Sequence, residues 1–166
     1  AYAPLGGVLV LAAFATFRTI RSLDARADFR ADVLALLKPV KLFSSMRPSD
    51  LDRLSECAVW QDYEGDENVI TQGEVGDAYY IVESGSLAVW IDGVRRPVDL
   101  GPGDGFGEIA LLRDVPRTGT VTTLVPTRLL RIERDDFLAA VTRHVDGHPI
   151  AVEISDVNRR MADPRQ

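Results

Sequence analysis

Between Val59 and Glu133 the chain is a succession of short apolar or alternating runs rich in Val, Ile, Tyr and Trp, cut by glycines at Gly65, Gly73, Gly76, Gly85, Gly93 and Gly101. Such runs, bounded by turn residues, read as strands. The spacing predicts strands over Val59–Tyr63, Asn68–Thr71, Ala78–Glu83, Leu87–Ile91, Val98–Leu100, Gly119–Thr123 and Leu129–Glu133. Seven or eight strands of this length and spacing suit a jelly roll. Tyr79 and Tyr80 alternate across one strand, so one faces the core and the other solvent or a helix, and both serve packing. Trp60 and Trp90 are core or edge aromatics, and the acidic stretch Asp62–Glu67 reads as a solvated hairpin turn.

On either side of this region the apolar period becomes helical. Val33, Leu34, Leu36 and Leu37 give a stripe that Pro39 ends, and Leu42, Phe43 and Met46 follow as a short patch. Ser49 is a candidate N-cap for a second helix that carries Leu51, Leu54 and Cys57 at spacing three. After Arg134, Phe137, Leu138 and Val141 share a face, Gly147 to Pro149 make a break, and an amphipathic stretch runs from Ile150 to about Met161. The expected fold is mainly β with flanking helices: an eight-stranded β-roll (jelly roll) with an N-terminal helical bundle and C-terminal helices.

The first 17 residues carry no charge, and Arg18 and Arg21 follow them. Cations after an apolar run, rather than before it, match the cytoplasmic end of a membrane helix and not a signal peptide. The run is a little short for a full span. Residues 1–21 are therefore expected to be the end of a transmembrane helix or a helix docked on the domain or on a partner subunit. Residues 22–30 read as a polar linker, 31–161 as the domain proper and 162–166 as a tail.

A net charge of -6 without a long Lys/Arg run argues against nucleic acid as a partner, since phosphate contacts need a basic face. The single cysteine, Cys57, forms no disulfide within the chain and falls in the apolar phase of its helix, where a buried, inert thiol is expected.

The chemistry concentrates in Gly101–Val121, GPGDGFGEIALLRDVPRTGTV. Gly105 and Gly107 let the backbone come close to a ligand. A helix starting near Glu108 points unpaired amides and its positive end at an anion. Arg117 supplies a planar guanidinium able to hold two oxygens of a cyclic phosphodiester. Glu108 would repel a phosphate, but a sugar hydroxyl donating to its carboxylate resolves the conflict.

Phe106-Gly107-Glu108-Ile109-Ala110-Leu111-Leu112, then four residues, then Pro116-Arg117-Thr118-Gly119-Thr120-Val121 resembles the phosphate-binding cassette of cyclic-nucleotide-binding domains. The resemblance extends to the strand-Gly-x-x-Gly-Asp stretch over Ile70–Ile81 and to the flanking helices. It implies that Glu108 binds the ribose 2'-hydroxyl and Arg117 the exocyclic phosphate oxygens. Backbone groups around Phe106, Gly107, Ile109 and Ala110, with Thr118 and Gly119 after the arginine, would complete the cradle. It implies cAMP as ligand ahead of cGMP, although Thr118 matches members that accept guanine. A hydrophobic or aromatic lid on the last helix is common in that family. Here no aromatic follows Phe137, so the lid is aliphatic (Val152, Ile154, Val157), polar (Arg159, Arg160) or lost.

The competing readings are a glycine-rich corner with Arg117 paired structurally to Glu108 or Asp114, and a degenerate, non-binding roll acting as an assembly module. A metal-dependent barrel needs converging ligands, and the sole histidines, His144 and His148, are separated by a helix break. Neither a Gly-x-Ser-x-Gly elbow nor a lysine after the glycines is present. The chain is thus expected to bind rather than catalyse, with no catalytic cofactor and no metal. The expected partners are the cyclic nucleotide and a membrane transporter or channel portion of the same parent protein, with a homo-oligomer left open. The expected location is the cytoplasmic side of the membrane, and the expected signal is a ligand-driven rearrangement of the helices.

Overall fold

The computed structural model describes residues 28–143 of the 166-residue chain. The N-terminal apolar segment, both histidines, the last amphipathic stretch and every lid candidate fall outside the described residues. The polar stretch expected as a linker is helical where it is described, over 28–30. Helix α1 runs over residues 28–37 and ends, as Pro39 demands, before the proline. A single 3-10 turn, Lys41–Phe43, leads to α2, Pro48–Cys57. Eight strands follow: β1 Val59–Tyr63, β2 Asn68–Ile70, β3 Ala78–Ser84, β4 Leu87–Ile91, β5 Val94–Arg95, β6 Gly105–Phe106, β7 Thr120–Thr123 and β8 Thr127–Glu133. Helix α3, Glu108–Arg113, lies between β6 and β7, and α4, Arg134–Arg143, follows β8.

The strands form two four-stranded antiparallel sheets, β1-β8-β3-β6 and β2-β7-β4-β5. Strand β3 sits between two cores because successive side chains leave a strand on opposite faces. Tyr79 and Ile81 join Val33, Leu37, Phe43, Leu54 and Phe137 in the core beneath the helices, where Tyr79 stacks on Phe137 at 4.8 Å. Ala78, Tyr80 and Val82 point into the roll, and Tyr80 stacks on Phe106 at 5.2 Å. Both tyrosines are buried, so neither faces solvent. The continuous apolar run of β3 follows from having no wet face.

Several elements depart from the sequence reading. Helix α2 starts at Pro48 with Arg47 as N-cap, and Ser49 lies inside the first turn; proline's fixed φ and missing N–H suit the first helical position. Cys57 is half-buried at the end of α2, not enclosed. The stretch Asp62–Glu67 is no hairpin, since β1 pairs with β8 and β2 with β7, so it crosses between sheets. Thr123 holds this crossing: its Oγ1 donates to Glu64 O at 2.6 Å and accepts from Glu67 N at 2.9 Å. The strand expected over Val98–Leu100 reduces to an isolated bridge between Leu100 and Leu87, with Val98 exposed. Its place on the sheet edge belongs to β5, which Asp92 (φ 53) and Gly93 (φ 75) fold back onto β4 in a two-residue turn.

Candidate functional site

Strand β6 delivers the chain into α3 through Gly107, which caps the helix at φ 92, ψ -4, a conformation that favours glycine. Gly107 has no side chain to cap α3, and the helix begins with its first-turn N–H groups at the cleft, where the Glu108 carboxyl accepts from the Glu108 N–H. At the far end Asp114 (φ 52) closes the helix, and the chain turns back to place Arg117 alongside the start of α3. That return is fixed by two backbone bonds to the loop after β2, Arg117 N to Glu74 O at 2.7 Å and Gly73 N to Arg117 O at 2.9 Å. Phe106, Gly107, Glu108, Ile109, Ala110, Arg117, Thr118 and Gly119 all line one open cleft. Ile70, Val89, Ile91, Leu100 and Val121 complete it.

The Arg117 side chain is only 2% exposed, and three of its five N–H groups are already committed. Nη1 donates to Gly107 O at 3.0 Å; Nη2 donates to Ala78 O at 2.8 Å and to an Asp77 carboxylate oxygen at 2.9 Å. The guanidinium therefore locks the Gly107 turn to the start of β3. A Cβ at position 107 would lie 2.6 Å from Arg117 Nη1, so glycine is required there for space as well as for φ. Gly105 has a different role from the expected one: it is absent from the cleft lining, and a Cβ on it would overlap the Tyr79 hydroxyl. Its missing side chain makes room for the helical core.

Glu108, half-buried in the first turn of α3, has its carboxyl pushed above the ordinary range by burial. A backbone N–H and the positive charge of Arg117 work against that rise. Arg117 forms no ion pair with Glu108 or Asp114; the latter bonds to Arg134 at 2.5 Å. The arginine's anionic partner is Asp77, whose other oxygen accepts from Arg131 Nη2 at 3.0 Å. Those two guanidinium groups hold the Asp77 carboxyl below its ordinary range despite an opposing contribution from burial. Asp77 went unassigned in the sequence, although it directly follows the Gly73-x-x-Gly76 stretch; a buried arginine needs a carboxylate, and this one is adjacent to the strand the arginine faces. Thr118 is exposed at the mouth of the cleft, and Gly119 is buried. Chemically the site offers a buried cation with spare donors, the first turn of a helix, one carboxylate acceptor and an aliphatic surface. That set matches an anion carrying a hydroxyl group and an apolar body. No group of three or more metal-ligating side chains gathers among the described residues.

The sequence profile of the cyclic nucleotide-binding domain matches residues 60–144. The cAMP-dependent protein kinase regulatory subunit of Emericella nidulans is 34% identical over 123 residues, covering 74% of this chain and 30% of that protein. The regulatory subunit of Yarrowia lipolytica is 38% identical over the same length, covering 74% and 32%. The chain thus spans about a third of the length of these relatives. Among solved structures, the regulatory domain of Toxoplasma gondii PKA with cAMP is 35% identical with a TM-score of 0.63, covering 67% of this chain and 44% of that one.

Proposed function

The chain belongs to the cyclic nucleotide-binding domain family, and on that premise we propose that its cleft holds a cyclic nucleoside monophosphate, cAMP ahead of cGMP, to regulate an attached or bound protein. The observation that carries the reading is the convergence of Arg117, Glu108 and the first turn of α3 on one cleft backed by aliphatic side chains. The cyclic phosphate takes the donors of Arg117 that protein acceptors leave free, together with the amides of the first turn. The ribose 2'-hydroxyl donates to ionised Glu108. Thr118 and Gly119 close the cradle after the arginine. Relatives named as regulatory subunits of cAMP-dependent protein kinase, one of them solved with cAMP, support both the ligand and a regulatory role.

Those relatives favour a kinase catalytic subunit as the regulated partner. They lend no support to the membrane transporter or channel expected from residues 1–21, and no helix among the described residues is long and apolar enough to cross a membrane. The output runs through packing: α3 touches α4, and Arg134, the first residue of α4, bonds to Asp114 and to Gly76 O beside the cleft. A ligand that draws in the first turn of α3 shifts the contacts of α4, provided it binds one arrangement more tightly than the other.

Titration of the ligand-free 166-residue chain with cAMP and cGMP, by calorimetry, tests the reading. Saturable one-to-one binding is expected. Absence of binding to well-folded protein sinks it and leaves the assembly-module reading, for which the three existing partners of Arg117 already give a structural role.

A further inference from the structure

The Asp77 carboxylate lies between two guanidinium groups. Its Oδ1 accepts from Arg117 Nη2 at 2.9 Å and its Oδ2 from Arg131 Nη2 at 3.0 Å. Arg131 donates in turn through Nη1 to Glu133, so Arg117, Asp77, Arg131 and Glu133 form a row of alternating charge. The backbone sets this row in place. Arg134 N donates to Asp77 O at 2.8 Å just after β8 ends, and Arg131 is the register partner of Tyr80, which also pairs with Phe106. Paired residues share a face, and Arg131 Nε lies 3.4 Å from the Tyr80 hydroxyl. The Tyr80 ring stacks on Phe106 at the cleft, with its centroid 6.0 Å from Arg117 Cζ. Arg131 thus touches two of the groups that flank Arg117 while its own side chain is 18% exposed.

Resting on the cyclic nucleotide reading above, we infer that Arg131, which lies behind Asp77 and not in the cleft lining, is a positioning residue for the phosphate: it takes up charge of Asp77 that would otherwise neutralise Arg117. A carboxylate with one cationic neighbour offsets most of that neighbour's charge, whereas one shared between two cations offsets part of each. Arg117 and Asp77 alone make a neutral pair. With Arg131 they carry one net positive charge, which Glu133 at the far end of the row reduces. That reduction is partial, because Coulombic energy falls with distance and the Glu133 side chain is 53% exposed to water. The contact with Asp77 adds little to stability, since that carboxylate is 61% exposed, so Arg131 matters more to an anion in the cleft than to the fold. Removing one unit charge several ångströms from an anion in partly screened surroundings changes binding by about tenfold.

The test titrates the full 166-residue chain, confirmed ligand-free, and its Arg131→Gln, Arg131→Lys and Glu133→Gln variants with cAMP at low and at high salt, with thermal unfolding run alongside. At low salt Arg131→Gln is expected to weaken binding by at least about fivefold, Arg131→Lys to stay within about threefold of the parent, and Glu133→Gln to strengthen binding by about twofold. These differences shrink at about 1 M salt. The opposite signs separate charge from packing, because a structural role for the Arg131–Glu133 pair would make the loss of either partner weaken binding. A smaller effect of Arg131→Gln, an equal loss in Arg131→Lys, or a Glu133→Gln variant that fails to strengthen binding overturns the inference and leaves the cyclic nucleotide reading intact. Should Arg131→Gln not fold, the sign for Glu133→Gln decides alone. A parent chain that binds neither cAMP nor cGMP overturns both.

Discussion

Truncating Arg117 to alanine is expected to destabilise the ligand-free fold, apart from anything it does to binding. The guanidinium is 2% exposed and donates to two backbone carbonyls, Ala78 O at 2.8 Å and Gly107 O at 3.0 Å. A hydrogen bond from a charged donor contributes about 1.5–3 kcal/mol, and a buried acceptor left without a partner costs on that order. The ion pair with Asp77 adds less than about 1 kcal/mol, because that carboxylate is 61% exposed and screened by water. Water entering from the open cleft returns part of the loss, so the net is about 3–5 kcal/mol. For a domain of this size that lowers Tm by on the order of 10–15 °C. Thermal and urea unfolding of ligand-free Arg117→Ala, followed by circular dichroism, measures it, with Asp77→Asn as a comparison expected to cost about 1 kcal/mol. A Tm within about 3 °C of the parent would refute the argument, since it would mean that the three bonds carry no net stability. Nucleotide titrations of the variant must accordingly be run well below its own Tm.

Three further outcomes follow from the geometry. Burial raises the Glu108 pKa in the fold above its unfolded value, so the neutral form favours folding at low pH and that contribution is lost as pH rises through the folded pKa. Glu108→Gln should therefore raise the Tm of the free protein at pH 7 while weakening cyclic nucleotide binding by tenfold or more, and the parent's affinity should fall as pH drops through the raised pKa; an unchanged Tm together with unchanged affinity would contradict it. Gly107→Ala places a Cβ 2.6 Å from Arg117 Nη1 at φ 92, which should cost roughly 2–3 kcal/mol in urea unfolding and weaken nucleotide binding together; a loss of stability alone would show that the guanidinium need not be held where it is. The Cys57 thiol is pushed up by burial and then by Asp136, so its reaction with a disulfide reagent at pH 7.5 should be slower in the folded than in the urea-unfolded chain, and equal rates would show a free, solvated thiol.

Much of the roll was legible because its signals are local. Glycine-bounded runs gave β1 and β4 to the residue, and the helical period gave the apolar face of α4, where Phe137 and Val141 are buried and Leu138 partly so. The failures came where a neighbour supplies the reason. Strand β5 was overlooked although Asp92-Gly93 is a strong two-residue hairpin signal, because Val98 and Leu100 offered a more apolar segment nearby. Strand β6 is two residues long and exists because the edge of β3 is there to pair with it. The Asp62–Glu67 crossing looks like a hairpin turn to any local rule, and the choice of β8 and β7 as partners for β1 and β2 is a property of the whole roll.

The same division holds at the cleft. By itself the sequence determined which residues gather there, because the cassette is nearly continuous: Phe106 to Ala110 and Arg117 to Gly119 are tied together by a six-residue helix and one turn, so short-range geometry suffices to bring them to one place. The tertiary structure decided what each of them is free to do. Asp77 and Ala78 lie about 40 residues from Arg117, and only the closing of β3 against the cassette turns them into its partners. The aliphatic lining of the cleft comes from three strands and a bridge residue whose register is set by pairing across the sheet, and the burial that raises the Glu108 carboxyl exists only in the folded chain. Spacing along a chain fixes which groups are neighbours; burial, charge state and the donors left over depend on groups that folding brings from elsewhere.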